Sequence, residues 1–489
     1  MFKSTFDVGD ATIRTIAQQL SNGMPTDDGR LTNKSNKIVD PKHVEFIRTH
    51  IQSFPASESH YNVAKSEKMY YNSDLNLSIM YRLYKTECEG KYEPVCYDTY
   101  RLIFKPMKIS FRKPRVDTCG ECDKLFLQAK LSEGEQKEQI LAQHAEHRKK
   151  GDLIYQEKSK DMQLAKSAVD ICCAAFDLEK QLPTPSLTCG KAFYARQLYT
   201  YNLTVYQTLE GNNSSDCYLW NETQAKRGSQ EIGSCVLQHL ESLPATVQKV
   251  IYYSDRSGGQ NRNKNIVFMF MLFIERCKAM NRNLVIEHKF MQTGHSHMEC
   301  DAIHGAIERA KKRNSTNIET PHDWATFISA IYRTTPIRVH ELDQCEILAL
   351  KSLKQRYKIP KKNMLGDPLK FGDIMVLRYN TNCPGLVNYK YHVSDEFYRC
   401  FKLLPTEEVM RGINHIVLSP AFFEPVPIPD VKLKDLQKLM PFIKQKDFYT
   451  SFLKKLVPGK RGRRAACNIR DDFDADLSES EEEEEEDGT

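Results

Sequence analysis

Two acidic residues stand where apolar segments end. Asp177 closes the run ICCAAFD, and Asp255 follows VIYYS and precedes a Gly-Gly turn. Two carboxylates brought side by side repel unless a proton or a cation lies between them. A hard divalent ion such as Mg2+ or Mn2+ prefers oxygen ligands, so this pair is a candidate cation seat for phosphodiester chemistry. A third acid is expected from GHSHMECDAIHGAIERAKKR, where Asp301 and Glu308 both qualify. Asp301 lies in the first helical turn. Glu308 lies seven residues on, along the same face. The loop histidines His295 and His297 could hold a phosphate or a metal-bound water. Beside Asp255, Gln260, Asn261, Arg262 and Lys264 supply amides and cations suited to phosphates or bases.

A second group has softer ligands. Cys119 and Cys122 form a CxxC knuckle, and His144 and His147 follow at i, i+3 on a charged helical stretch. Such a set can hold zinc. The spacing between the pairs is longer than in a compact finger. Two alternatives therefore stay open: a zinc completed by Cys88 or Cys96, or a buried CxxC with solvent-facing histidines.

The elements that must position the acids follow from periodicity. Three strand-like segments with short links, residues 168–182, 192–209 and 216–228, precede an amphipathic helix over 230–243. Then come a buried strand over 247–253, an apolar helix over 266–277, a strand over 284–290 and a helix over 300–312. This order, β-β-β-α-β-α-β-α, predicts an RNase H-like core over 167–335 in an α/β (α+β overall) chain. In that fold the first and fourth strands are neighbours, which would bring Asp177 next to Asp255. Parallel strands need crossovers, and the helices supply them.

Around the core, residues 1–24 read as part of a helix-turn-helix whose second helix carries Arg14, a candidate groove contact. Residues 25–115 are predicted to be a helical N-terminal region opening with a linker to about 40, with helices over 41–53, 75–88 and 97–104. Residues 116–166 are predicted to hold the CxxC and one long helix. Residues 336–455 are expected to form a small accessory α+β region, and 456–489 a disordered tail. The basic cluster KKLVPGKRGRR, residues 454–464, is a candidate nuclear import signal or DNA-backbone contact.

Composition is consistent with that picture. The chain has 489 residues and a formal net charge of +6, although residues 479–487 are almost wholly acidic. The remainder is correspondingly more basic, which fits a polyanionic partner. The longest apolar run, 266–274, is too short to span a bilayer, and the first residues lack a signal-peptide core. Fifteen cysteines without such a signal point to reduced thiols.

Five segments resemble a group of transposon-like proteins, abundant in insects and also found in fish, that carry a DDE-type RNase H-like domain. They are ESHY (58–61), SDLNLSIMYRLY (73–84), DTCGECD (117–123), YYSDRSGGQNRN (252–263) and GHSHMECDAIHGAIERA (294–310). The last two are the specific ones. The resemblance implies a DNA transposase or a host protein derived from one, with Asp177, Asp255 and either Asp301 or Glu308 as the acidic motif. It also implies a chain that lacks part of the family's N-terminal DNA reader. The expected function is metal-dependent DNA strand cleavage or transfer in the nucleus, by a chain that could form homo-oligomers. A catalytically silent chromatin protein and a nuclease acting on RNA stay open as alternatives.

Overall fold

The computed structural model describes residues 9–23, 39–54, 56–57, 69–72, 75–112, 119–331, 337–447 and 449–450. The first half of the expected helix-turn-helix, most of the linker, ESHY, the basic cluster 454–464 and the acidic tail lie outside these residues. The described chain is mixed α/β, with fourteen α-helices, a ten-stranded mixed sheet and a separate three-stranded one. It divides into two units, Met1–Asp117 and Thr118–Thr489.

In the first unit, α1 (Asp10–Ser21) carries Arg14 on an exposed surface. Helix α2 (Pro41–Gln52) begins at Asp40, whose carboxylate caps the Lys42 N–H, with Pro41 at the first helical position. Ile47 and Ile51 on its buried face pack with Met80, Tyr84 and Cys88 of α3 (Leu77–Cys88) and Tyr100 of α4 (Tyr97–Phe104). Two buried histidines of α2 are satisfied by tyrosine hydroxyls: His43 by Tyr84 at 2.8 Å and His50 by Tyr100 at 3.0 Å. Strands β1 (Ala56–Ser57), β2 (Met69–Asn72) and β3 (Ile109–Arg112) form the small sheet.

The second unit opens with α5 (Gly120–Leu131) and α6 (Gly134–Ser167). The single long helix expected here is interrupted at Ser132 and Glu133, both extended, and Gly134 takes a positive φ of 58° that suits glycine. Next come β4 (Ile171–Leu178), β5 (Leu182–Thr184), α7 (Gly190–Tyr194), β6 (Leu198–Leu209) and β7 (Asn212–Asn221). β5 was not expected, because Pro183 reads as a strand terminator. It pairs only with β6, as a proline-containing edge strand must. The β6–β7 turn places Glu210 and Gly211 both at positive φ, 51° and 74°, a tight hairpin reversal.

After α8 (Ser229–Ser242) come β8 (Lys249–Ser254), α9 (Lys264–Ala279), β9 (Val285–Phe290) and α10 (Glu299–Arg313). The sheet runs β7-β6-β4-β8-β9, with β6 antiparallel to β4, and β4, β8 and β9 mutually parallel. α11 (Pro321–Ser329), β10 (Ile337–Glu341), α12 (Lys351–Arg356), β11 (Val376–Asn380), β12 (Leu386–Lys390), β13 (Arg399–Lys402), α13 (Thr406–Arg411) and α14 (Asp430–Leu439) complete the unit.

One expectation needs correction here. The strands of residues 337–402 do not form a sheet of their own. β10 adds in parallel to β7 at one edge, and β11 adds antiparallel to β9 at the other, followed by β12 and β13. Strand patterns show which residues pair with some edge, not which edge that is.

Strand alternation gives β4 two different faces. Cys172, Ala174 and Phe176 join the large core built with α8, α9 and β11. Cys173 and Ala175 face the other way, with Ile251 and Tyr253 of β8, Ile154 and Ala165 of α6, and Cys300 of α10. α6 is fixed to this second face by a buried ionic network. Lys289 of β9 lies 2.6 Å from Asp161, 2.9 Å from Glu157 and 3.5 Å from Glu287. Tyr253 donates to Asp161 at 2.5 Å, and Lys158 pairs with Glu299.

Candidate metal centre

Asp177 lies on the same face of β4 as Cys173 and Ala175. Ala175 pairs with Tyr253 in the parallel β4–β8 ladder, so extending the register by two residues sets Asp177 beside Asp255. Neighbouring strands lie about 4.8 Å apart, and Asp255 is close enough to perturb Asp177. Burial first, then the charges of Asp255 and Asp301, push the Asp177 carboxyl up to about 8.

Asp255 is the first residue after β8. Its Oδ1 accepts the Ser257 N–H at 3.1 Å and the buried Asn261 side-chain amide at 2.5 Å. One oxygen therefore organises the Gly-Gly turn, while the charge of Asp255 is felt at Asp177. Asn261 was expected to meet a nucleic acid. It is instead 2 % exposed and holds Asp255. Arg262, also expected at a nucleic acid, donates to the Gly372 carbonyl, as does Arg256 at 2.9 Å. Gln260 on the same loop and Lys264 at the start of α9 are partly exposed.

α10 brings the third acid. Its first turn packs across β4 and β6, where the buried Cys300 thiol donates to the carbonyls of Ala175 at 3.3 Å and Thr204 at 3.4 Å. This contact sets Asp301 and His304 over Asp177, and one ligand atom from each of the three lies within 4.8 Å of the others. Asp301 Oδ2 accepts the Met298 N–H at 2.6 Å and lies 2.9 Å from His297 Nδ1. Burial lowers His304 to about 4, so its imidazole is neutral at pH 7, with Nε2 3.0 Å from Thr204 Oγ1. Glu308 does not join this group. Two turns along α10, it pairs with Lys312 at 3.6 Å with its side chain 50 % exposed. Of the two third acids weighed from sequence, the geometry brings Asp301 to Asp177.

Sequence reasoning missed two neighbours. His304 stands at i+3 from Asp301, a spacing that places both on one side of a helix. Glu179, just past the end of β4, is buried and accepts Asn202 Nδ2 at 2.8 Å. Burial, opposed by that amide and reinforced by Glu308, pushes Glu179 up to about 8.

The softer ligands also meet, with one change of membership. Cys119, Cys122, His147 and His295 present ligand atoms within 4.8 Å of one another. His144, expected in this set, is not a member. It is buried one turn back on α6, while the fourth position is taken by His295 from the β9–α10 loop. Cys88 is buried in the core of the first unit, and Cys96 is exposed there. No disulfide joins any described cysteine.

A cavity of about 540 Å3 has Arg256, the residue after Asp255, in its wall. Its lining includes Lys150, Arg256, Gln292, Lys370 and Arg399. Among the described residues no helix is long and apolar enough to cross a membrane.

A model for a domain of unknown function (DUF8701) matches residues 203–363. That span runs from within β6 to just beyond α12, so it contains Asp255, Asp301 and His304 and begins after Asp177. No curated protein and no solved structure matches the chain.

Proposed function

We propose that Thr118–Thr489 is built around an RNase H-like core whose Asp177, Asp255 and Asp301 hold Mg2+ or Mn2+ for strand cleavage or transfer of DNA, the chemistry of a transposase. The observation that carries this reading is that Asp177, Asp301 and His304 bring ligand atoms within 4.8 Å of one another, while burial first and then the charges of Asp255 and Asp301 push Asp177 up to about 8. Carboxylates are not packed together in this way for stability, since each adds repulsion that a cation would relieve. The strand order β7-β6-β4-β8-β9, with α8 and α9 on one face and α6 and α10 on the other, supports the fold reading.

The residues present suit such an ion, being hard oxygen donors with one neutral imidazole alongside. Bound there, a divalent cation would polarise a phosphodiester and offset charge on the attacking and leaving oxygens. The chain's own groups divide the remaining work. Asn261 and the Ser257 N–H orient Asp255, the Met298 N–H orients Asp301, and Asp177 gives up its proton as the cation enters. The cations along the adjoining cavity suit the phosphate backbone of the substrate. A nuclear location follows from a DNA substrate and from the basic cluster at 454–464.

The test is nicking of supercoiled DNA in Mn2+ by the wild-type chain and by Asp177→Asn, Asp255→Asn, Asp301→Asn and Glu308→Gln. The first three should lose at least roughly a hundredfold in rate, as removal of a group at the reacting centre does. Glu308→Gln should stay close to wild type. Cleavage by Asp177→Asn and Asp255→Asn at the wild-type rate would remove the proposal. Cleavage of RNA with DNA left intact would redirect it to an RNA nuclease.

A further inference from the structure

We propose that Cys119, Cys122, His147 and His295 form a separate zinc site, and that its ion straps the β9–α10 loop onto α5 and α6. This inference stands on its own ligands and does not depend on DNA cleavage.

The distances fit. Cys119 Sγ lies 3.2 Å from His147 Nε2, and Cys122 Sγ lies 3.4 Å from His295 Nε2. A tetrahedral zinc with Zn–S of about 2.3 Å and Zn–N of about 2.05 Å has S···N edges of about 3.5 Å. Two thiolates and two imidazoles select zinc over the hard ions suited to the carboxylate centre. Cys119 is the N-cap of α5 and Cys122 lies in its first turn, so one short turn carries both sulfurs.

Two glycines make room for the ligands. Gly294, at φ +76°, lies so close that a Cβ there would come 2.3 Å from Cys119 Sγ. Gly151 of α6 leaves space for the His295 ring, since a Cβ would come 3.1 Å from its Cγ. Neither glycine is called for by the carboxylate centre. His295 and Asp301 lie on the same short segment, and His297 and Met298 between them both contact Asp301. Zinc at this site would therefore fix the loop that delivers the third acid.

The full chain, purified without added metal, should carry a single zinc ion. Replacing zinc with Co2+ should give the thiolate-to-metal charge-transfer band of a tetrahedral site. His147→Asn and His295→Asn should each lose the ion, while His144→Asn and Asp177→Asn should retain it. Because a ligand variant can fail to fold, the wild-type chain supplies an independent readout. Chelation should release zinc, make Cys119 and Cys122 reactive to a thiol reagent, and open residues 291–298 to protease. Zinc retained by His295→Asn, or lost from His144→Asn but kept by His147→Asn, would overturn the ligand set. A folded wild-type chain without zinc would overturn the site. Unchanged protease sensitivity after zinc release would overturn the strap.

Discussion

In the proposed function, Asp177 is the residue on which the chemistry turns. Its carboxyl is raised to about 8 in the folded chain, against an ordinary value of 3.8. Between those values the folded state binds a proton that the unfolded state has released. This contribution therefore falls as pH rises from about 4 to about 8 and is lost above that. Two outcomes follow. In the absence of divalent ions, Asp177→Asn should melt a few degrees above wild type at pH 8 and no higher than wild type at pH 4, by calorimetry. Cation binding near pH 7 should also release a proton and tighten as pH approaches about 8, as measured by titration calorimetry in buffers of different ionisation enthalpy. Asn261 belongs to the same scale, because it holds Asp255 without reaching the ion itself. Asn261→Ala should slow cleavage by about 10- to 100-fold, as loss of an orienting partner does, with kcat falling while DNA affinity is kept.

At the scale of elements, the site depends on how α6 and α10 dock on one face of the sheet. Burial alone would lower Lys289, but Asp161 and Glu287 outweigh it and keep it charged. Lys289→Met should cost about 3–5 kcal/mol in chemical denaturation, because it leaves Asp161 and Glu157 without their cation while Lys249 and Arg378 still hold Glu287. The strands were legible from sequence where buried runs end in an acid. ICCAAFD and VIYYSD showed Asp177 and Asp255 as equivalent ends, and the parallel β4–β8 ladder, which runs to Ala175 and Tyr253, carries both toward the same edge. His295 was not legible as a metal ligand, because only tertiary closure brings a loop after β9 to α6. His144 and His147 share one helix face in sequence. The docking of α6 through Asp161 and Ile154 decides which of them meets the cysteines. Asp301 and Glu308 were equal on periodicity. The Cys300 contacts to Ala175 and Thr204, which place the start of α10 against β4, separate them.

At the scale of the whole molecule, four cations, Lys150, Arg256, Lys370 and Arg399, line one cavity together with Asp373, and on the proposed reading they would hold the backbone of a polyanionic substrate. Lys370→Glu and Arg399→Glu should weaken DNA binding without regard to sequence. Each should also lower the slope of log affinity against log salt by about one, measured by fluorescence anisotropy. The sequence showed the basic body but not this cavity, because Lys150, Arg256, Lys370 and Arg399 come from segments that only the folded sheet assembles. The region expected as an accessory domain proves to supply part of that wall through β13 and the turn before β11. The central claim remains the divalent cation seat, and Mn2+ titration of the zinc-loaded chain at pH 8, followed by electron paramagnetic resonance, tests it most directly. The wild-type chain should bind Mn2+, Asp177→Asn and Asp301→Asn should lose that binding, and Glu308→Gln should keep it. Equal binding by the wild type and Asp177→Asn, or none by a folded wild-type chain, would contradict the account.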